Sequence, residues 1–117
     1  MDGINYSSLL NKSYSKILDL ISTKIDNKNK ARELYKKINN LTWKANDEEI
    51  EKILDGFNVL WNTLPQEAFD VDTLEKLNTR IYQFSKYILT IEEEFKDHGF
   101  TLLVTYYLKV VRKYLNS

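Results

Sequence analysis

The sequence contains no cysteine, one proline, three glycines and a single histidine. Without cysteine the chain can form neither a disulfide nor a thiolate metal site, and it has no cysteine nucleophile. So few turn-forming residues argue against a β-sandwich, which needs a tight turn after every short strand. The shortage of histidine confines the most common catalytic base and metal ligand to one position, His98.

An excess of charge and a long apolar run are also missing. The 17 basic and 17 acidic residues cancel, so there is no global attraction to nucleic acid or to a membrane. The most apolar stretch, residues 100–115, is interrupted by Lys109, Arg112 and Lys113 and is too short to span a bilayer. The N-terminus lacks the basic and apolar regions of a secretion signal. We therefore expect one cytoplasmic domain over residues 1–117 that does not associate with membranes.

Apolar residues recur at helical spacing in five segments, residues 5–25, 30–44, 47–64, 74–95 and 100–115. The first four carry one apolar stripe each, whereas the fifth is apolar on nearly all sides and should be enclosed by its neighbours. The sequence therefore predicts an all-α fold. We expect an up-and-down bundle of four to five helices, with the apolar C-terminal helix in the core.

Four local signals predict where these helices begin or end. Asn29 is a candidate N-cap of the second helix, and Asn46 with Glu49 has the spacing of a capping box before the third. Asp72 has the corresponding position before the fourth helix. Gly99 suits a left-handed C-cap at its end, which would place His98 at a helix C-terminus where a cation is favoured.

No constellation of residues predicts catalysis or a bound metal. His98 has no residue at a catalytic spacing to orient it, and the chain contains no Glu-x-x-His pair of the kind that helical bundles use for metals. Glu93 and Asp97 share a helix face, but a solvated charge run is a much better interpretation of them than a metal site. A nucleophile elbow and a phosphate-binding glycine loop are both missing from the sequence. We therefore expect neither enzymatic activity nor a cofactor or metal.

The fourth segment has apolar residues in strict heptad spacing for three repeats. They are Leu74, Leu77, Ile81, Phe84, Ile88, Ile91 and Phe95. Four-helix bundles and coiled-coil dimers use the same packing. The stripe is interpreted as part of the core, with a homodimer through residues 74–95 as the alternative.

The zero net charge conceals a strong polarity along the chain. Residues 11–44 carry nine basic and three acidic side chains, whereas residues 45–75 carry nine acidic side chains and one lysine, Lys52. Helix-capping explains part of this acidic segment, but not Glu51, Asp55 and Glu67. A concentrated negative surface with aromatic residues suits binding to a basic protein face. The predicted partner-binding residues are Glu48, Glu51, Asp55, Glu67, Phe69, Asp70 and Asp72.

The leading hypothesis is a small inhibitor that masks a basic functional surface of another protein, with Phe69 as its apolar anchor. In size, helical character and acidic segment the chain resembles the helical immunity proteins of bacteriocins, colicins and contact-dependent inhibition systems. That resemblance implies a toxin as partner, for example a nuclease. A phage-encoded inhibitor of a host defence complex would share these features.

Two further classes of function stay open. A nucleic-acid-binding or regulatory module would use the basic residues of segment 28–44 to contact phosphates. These are Lys28, Lys30, Arg32, Lys36, Lys37 and Lys44. In a structural homo-oligomer, the acidic segment of one copy would meet the basic segment of another.

Overall fold

The computed structural model describes residues 14–42, 44, 46–56, 66–88, 90 and 96–117. Over these residues the chain forms five α-helices and one 3₁₀ helix, with no strand. The α-helices are α1 (Tyr14–Ile21), α2 (Lys28–Asn40), α3 (Asp47–Gly56), α4 (Leu74–Ile88) and α5 (Lys96–Leu115). The 3₁₀ helix, Gln66–Phe69, lies between α3 and α4. The all-α prediction is confirmed, whereas the up-and-down order of the helices stays a prediction.

Helix α5 occupies the core, as its composition predicts. Nearly every side chain between residues 101 and 111 is buried, and the exception is Lys109. Helices α2, α3 and α4 all pack against α5, and α1 packs against α2. Thr101 and Thr105 are also fully buried, and the Thr105 hydroxyl donates to the Thr101 carbonyl oxygen at 2.7 Å. That internal bond lets one polar residue of α5 enter an apolar core.

The described part of the heptad stripe packs inside the chain. Leu77, Ile81 and Phe84 are buried, and the Phe84 ring stacks on Tyr106 of α5 with centroids 4.2 Å apart. Leu74 and Ile88 pack partly against the same core. Ile91 and Phe95 lie outside the described residues. In this fold the stripe joins α4 to α5, as the core interpretation requires, and the homodimer stays a prediction.

The helix starts agree with the sequence at α3 and differ at α2 and α4. The Asn46 side chain accepts from the Glu49 amide and donates to the Glu49 carboxylate, each at 2.9 Å, so that capping motif is confirmed. The predicted cap Asn29 is wrong, because the extended Asn27 accepts the Lys30 amide at 2.8 Å. Asn29 instead accepts from the Arg32 guanidinium.

At α4 the cap lies one residue later than the sequence suggests. The Thr73 hydroxyl accepts the Lys76 amide at 3.2 Å, and Asp72 is left to form an ion pair with the Lys76 side chain. Both residues are good N-caps, so the local sequence does not distinguish between the two registers.

The prediction of a helix end at Gly99 is wrong. Helix α4 ends at Ile88, and α5 already begins at Lys96 and continues through Gly99. Gly99 is buried, and no described glycine has a positive φ. His98 therefore lies in the first turn of α5 and not at a helix C-terminus.

The loop after α1 is fixed to α4 by one side chain. Asn78 accepts from the Ile25 amide at 3.0 Å and donates to the Ile25 carbonyl oxygen at 2.8 Å. Its amide nitrogen also donates to the Leu74 carbonyl oxygen. Ile25 is itself buried, so these bonds satisfy backbone groups that would otherwise be cut off from water.

We expect Asn78→Ala to lower the free energy of unfolding by about 1–3 kcal/mol, because it leaves both backbone groups of Ile25 without a partner. Asn40→Ala, at the exposed end of α2, is the matched control and should change stability by less than about 0.5 kcal/mol. Urea unfolding followed by circular dichroism measures both. Equal midpoints for the two variants would show that Asn78 does not hold the loop.

Candidate protein-binding surface

Helix α3 divides into a core face and an acidic outer face. Ile50, Ile53 and Leu54 are buried, as the periodicity predicts. Glu48, Glu51 and Asp55 are exposed, at the spacings of three and four that place them along one side. The apolar residues that continue this stripe in the sequence, Phe57, Leu60 and Trp61, lie outside the described residues. The acidic segment thus presents carboxylates to solvent on the described part of α3.

Three cations of α5 hold this acidic segment against the core. The Lys109 ammonium is 2.9 Å from the Glu51 carboxylate, and Arg112 forms an ion pair with Asp47. The Lys113 ammonium donates to the Phe69 carbonyl oxygen at 2.8 Å. The central helix therefore contacts both α3 and the 3₁₀ helix through charged or hydrogen-bonded groups as well as through apolar packing.

The predicted apolar anchor, Phe69, is half-buried. Its ring lies 6.1 Å from the Tyr106 ring, and the Lys109 ammonium lies 5.7 Å from its centroid. The Tyr106 hydroxyl also donates to the Ala68 carbonyl oxygen, which fixes the 3₁₀ helix on α5. The structure thereby brings Glu51 and Phe69 together at one lysine. Phe69 contributes to the core, so its replacement would change stability as well as any contact with a partner.

Asp70 and Asp72 share a different cation. The Lys76 ammonium is 3.1 Å from the Asp70 carboxylate and 3.0 Å from that of Asp72. The hydrogen bond from Lys76 lowers the pKa of Asp72, and the bonds to both carboxylates raise the pKa of Lys76. The Asp72 carboxylate therefore stabilises the fold above its ordinary pKa of 3.8, and this contribution is lost as the pH falls through the lowered value.

The remaining predicted residues are the ones most open to a partner. Among the described residues Glu48 pairs with Lys52 alone, at 3.5 Å, and both side chains are more than two-thirds exposed. Asp55 and Glu67 are exposed, and neither has a basic nitrogen within 4 Å among the described residues. These carboxylates are all exposed, and they differ in the cations that they contact. We call the ones paired to Lys76, Lys109 and Arg112 the inner layer, and Glu48, Asp55 and Glu67 the outer layer.

Sequence reasoning missed the cations that neutralise the inner layer. Lys76 could have been found, because it stands four residues after Asp72 at the spacing of a helical ion pair. Lys109 and Arg112 were visible as polar positions on an apolar helix. Their partners were not, since Lys109 and Glu51 are 58 residues apart in the chain.

The basic segment is also partly used within the chain. Lys30 and Lys37 both approach Glu33, at 3.5 and 4.0 Å. The Lys28 ammonium donates to the Ser117 carbonyl oxygen and lies over the Tyr114 ring. Lys36 and Lys44 are exposed and have no carboxylate within 4 Å among the described residues. Fewer basic side chains of segment 28–44 are therefore without a partner in the described part of the chain than the sequence suggests.

The described residues form neither a metal centre nor a membrane-spanning helix. There, no three or more acidic or histidine side chains come together as metal ligands. Glu93 lies outside the described part of the chain, and the Asp97 side chain is not described. No described helix has both the length and the apolar character needed to cross a bilayer.

Comparison with models of protein families, with curated proteins and with solved structures finds no match for this chain.

We expect Lys76→Gln to return the pKa of Asp72 towards its ordinary value of 3.8, because the hydrogen bond that lowers it is lost. Lys52→Gln, which removes the partner of Glu48, is the control and should leave the titration of Asp72 unchanged. Carboxyl-carbon NMR against pH measures both. A low Asp72 pKa that persists in Lys76→Gln would contradict the ion pair.

We expect Arg112→Gln to lower the free energy of unfolding by roughly 1–3 kcal/mol. Arg112 is mostly buried, lies 5.3 Å from the Tyr35 ring, and bonds to the Tyr35 hydroxyl and to Asp47. Its loss would therefore loosen α2 and α3 on α5 together. Lys52→Gln again serves as the exposed control, with a change below about 0.5 kcal/mol. If thermal unfolding gives equal midpoints, Arg112 does not join these helices.

Proposed function

We propose that this chain is a small non-catalytic inhibitor that binds a basic surface of another protein through its acidic segment, residues 45–75. The observation that carries the proposal is the outer layer of exposed carboxylates, Glu48, Asp55 and Glu67, in a segment that also contains half-buried Phe69. In a neutral chain, such a layer gives one region a local negative potential. That potential attracts a basic partner and orients it before contact.

The inner ion pairs restrict the rotamers of the carboxylates that they contact, and they leave the attraction of a basic partner to the outer layer. Glu51 is fixed by Lys109, and Asp70 and Asp72 are fixed by Lys76, so these side chains lose little further rotamer freedom on binding. The partner's cations would meet the outer carboxylates first. We propose that the outer layer sets the association rate and that the edge of Phe69 contributes to residence time.

The concrete form of the proposal is a cytoplasmic immunity protein that neutralises a toxin, with a nuclease as an example. Nucleases carry basic surfaces for phosphate binding, and an acidic protein can cover such a surface. A phage-encoded inhibitor of a host defence complex would act by the same chemistry. In either case we take the helices to form an up-and-down bundle.

A second candidate function uses the basic segment 28–44. The exposed cations Arg32, Lys36 and Lys44 favour it, because these are side chains that could contact phosphates. The nearby acidic surface weighs against it, since it repels a polyanion at distances up to about a Debye length of 8–10 Å. Binding to DNA or RNA at physiological salt is therefore expected to be weak.

The test compares two pairs of charge reversals on the same scaffold. Glu48→Lys/Asp55→Lys reverses the acidic outer layer, and Arg32→Glu/Lys36→Glu reverses the basic face by an equal number of charges. Each protein is immobilised and exposed to extract of the native host, and bound proteins are quantified by mass spectrometry. We expect a partner that wild type and the basic-face variant retain and the acidic-face variant loses.

The partner is then purified and its kinetics are measured by surface plasmon resonance. The acidic-face variant should associate about tenfold more slowly than wild type, with a flatter dependence on salt. Stoichiometric wild-type protein should also inhibit the partner's activity. Melting temperatures of all variants control for folding. Loss of binding in the basic-face variant alone, or strong nucleic-acid binding in a gel shift, would favour the second function.

A further inference from the structure

A groove lies between the end of α1 and the middle of α4, on residues that the acidic segment does not include. Its volume is about 440 Å³, within the range of roughly 300–1,000 Å³ typical of small-molecule sites. It is bounded on one side by the turn after α1 and on the other by the α4 residues Asn78 to Lys86. The Asn78 clamp on Ile25 holds these two sides together.

The groove has an apolar floor with an aromatic edge. Ile21 and Ile81 line it and are themselves buried in the core. Tyr82, also in the lining, is 62% exposed. Among the described residues the large hydrophobic side chains that stand exposed are Tyr82 and Leu18, and Leu18 lies one turn before Ile21. An apolar body placed here would remove Tyr82 from water.

Besides Tyr82, the polar side chains of the lining are two lysines, two serines and two residues, Thr23 and Asn78, that already form hydrogen bonds within the chain. Lys24 and Lys86 contribute two ammonium groups, and the described residues that line the groove include no aspartate or glutamate. Neither lysine has a carboxylate within 4 Å among the described residues, and the Lys86 ammonium lies 5.3 Å from the Tyr82 ring centroid. Ser22 and Ser85 add hydroxyls, whereas the Thr23 hydroxyl is bonded to the Asp19 carbonyl oxygen.

We propose that this groove binds a small organic anion with an apolar body, of the class of medium-chain carboxylic acids. The apolar part would lie over Ile21, Ile81 and Tyr82. The carboxylate would accept from the ammonium groups of Lys24 and Lys86 and from the serine hydroxyls. The charge of the lining selects against a cation, and its apolar floor selects against a fully hydrated anion such as inorganic phosphate.

The site is separate from the proposed inhibitory surface, because the described residues that line it all lie outside residues 45–75. Variants of the acidic outer layer should therefore leave ligand binding unchanged. Loss of protein-partner binding with retained ligand binding, or the reverse, separates the two proposals.

The first experiment compares three ligands with the same ten-carbon tail and different heads: decanoate, decanamide and decyltrimethylammonium, each below its micelle concentration. Calorimetry gives the affinities, and methyl NMR of Ile21 and Ile81 locates the site. We expect decanoate to bind about fivefold more tightly than decanamide, and the cation not to shift these methyl signals. Equal affinities for all three ligands would overturn the proposal, as would shifts confined to other methyl groups.

The second experiment tests the lining residues in the full chain. Lys24→Gln/Lys86→Gln should lower decanoate affinity about fivefold and leave decanamide binding unchanged. Lys36→Gln/Lys52→Gln, two exposed lysines outside the groove, is the matched control and should bind decanoate as wild type does. Ser85→Trp should block the groove to both ligands, with unchanged circular dichroism as the folding control. Equal loss in the groove and control pairs would overturn the proposal, and so would methyl shifts on raising protein concentration alone, which would indicate a second copy as occupant.

Discussion

The burial of α5 is the constraint on which the other features of this structure depend. A helix that is apolar on nearly all sides must be covered by neighbours, and α2, α3 and α4 supply that cover. Cations near the C-terminal end of α5 then contact α3. Lys109 and Arg112 need carboxylates at the edge of the core, and Glu51 and Asp47 of α3 provide them. The acidic segment is therefore placed by the core as much as by any partner.

The first four described helices were predictable because each carries a repeating apolar stripe over more than two turns, and the fifth because it is apolar on nearly all sides. Asn46 was also predictable, since its cap involves residues three apart. The caps at Asn27 and Thr73 and the continuation of α5 through Gly99 were not predictable. At each of these positions two neighbouring residues, or two helix boundaries, suit the local sequence equally, and packing of the whole chain makes the choice.

The sequence predicted which residues are acidic in the binding surface, but not which of their carboxylates are paired to a cation. Segment charge identified Glu48, Asp55 and Glu67 as exposed acids, and the structure leaves them so. The charge of the segment could not show that Glu51 is paired to Lys109, or that Asp70 and Asp72 are paired to Lys76. The groove beside Tyr82 was invisible in the sequence because its two sides, joined by Ile25 and Asn78, are 53 residues apart.

The position of Phe69 limits how the acidic surface can bind. Its ring is shared between Tyr106 in the core and Lys109 at the surface, so a partner reaches only its outer edge unless Lys109 moves. Moving Lys109 would break its ion pair with Glu51, and a partner's cation that took its place would only restore what was lost. Net attraction must therefore come from carboxylates that have no such pair. Asp55 and Glu67 meet that condition, and the exposed pair of Glu48 with Lys52 is weak enough to exchange.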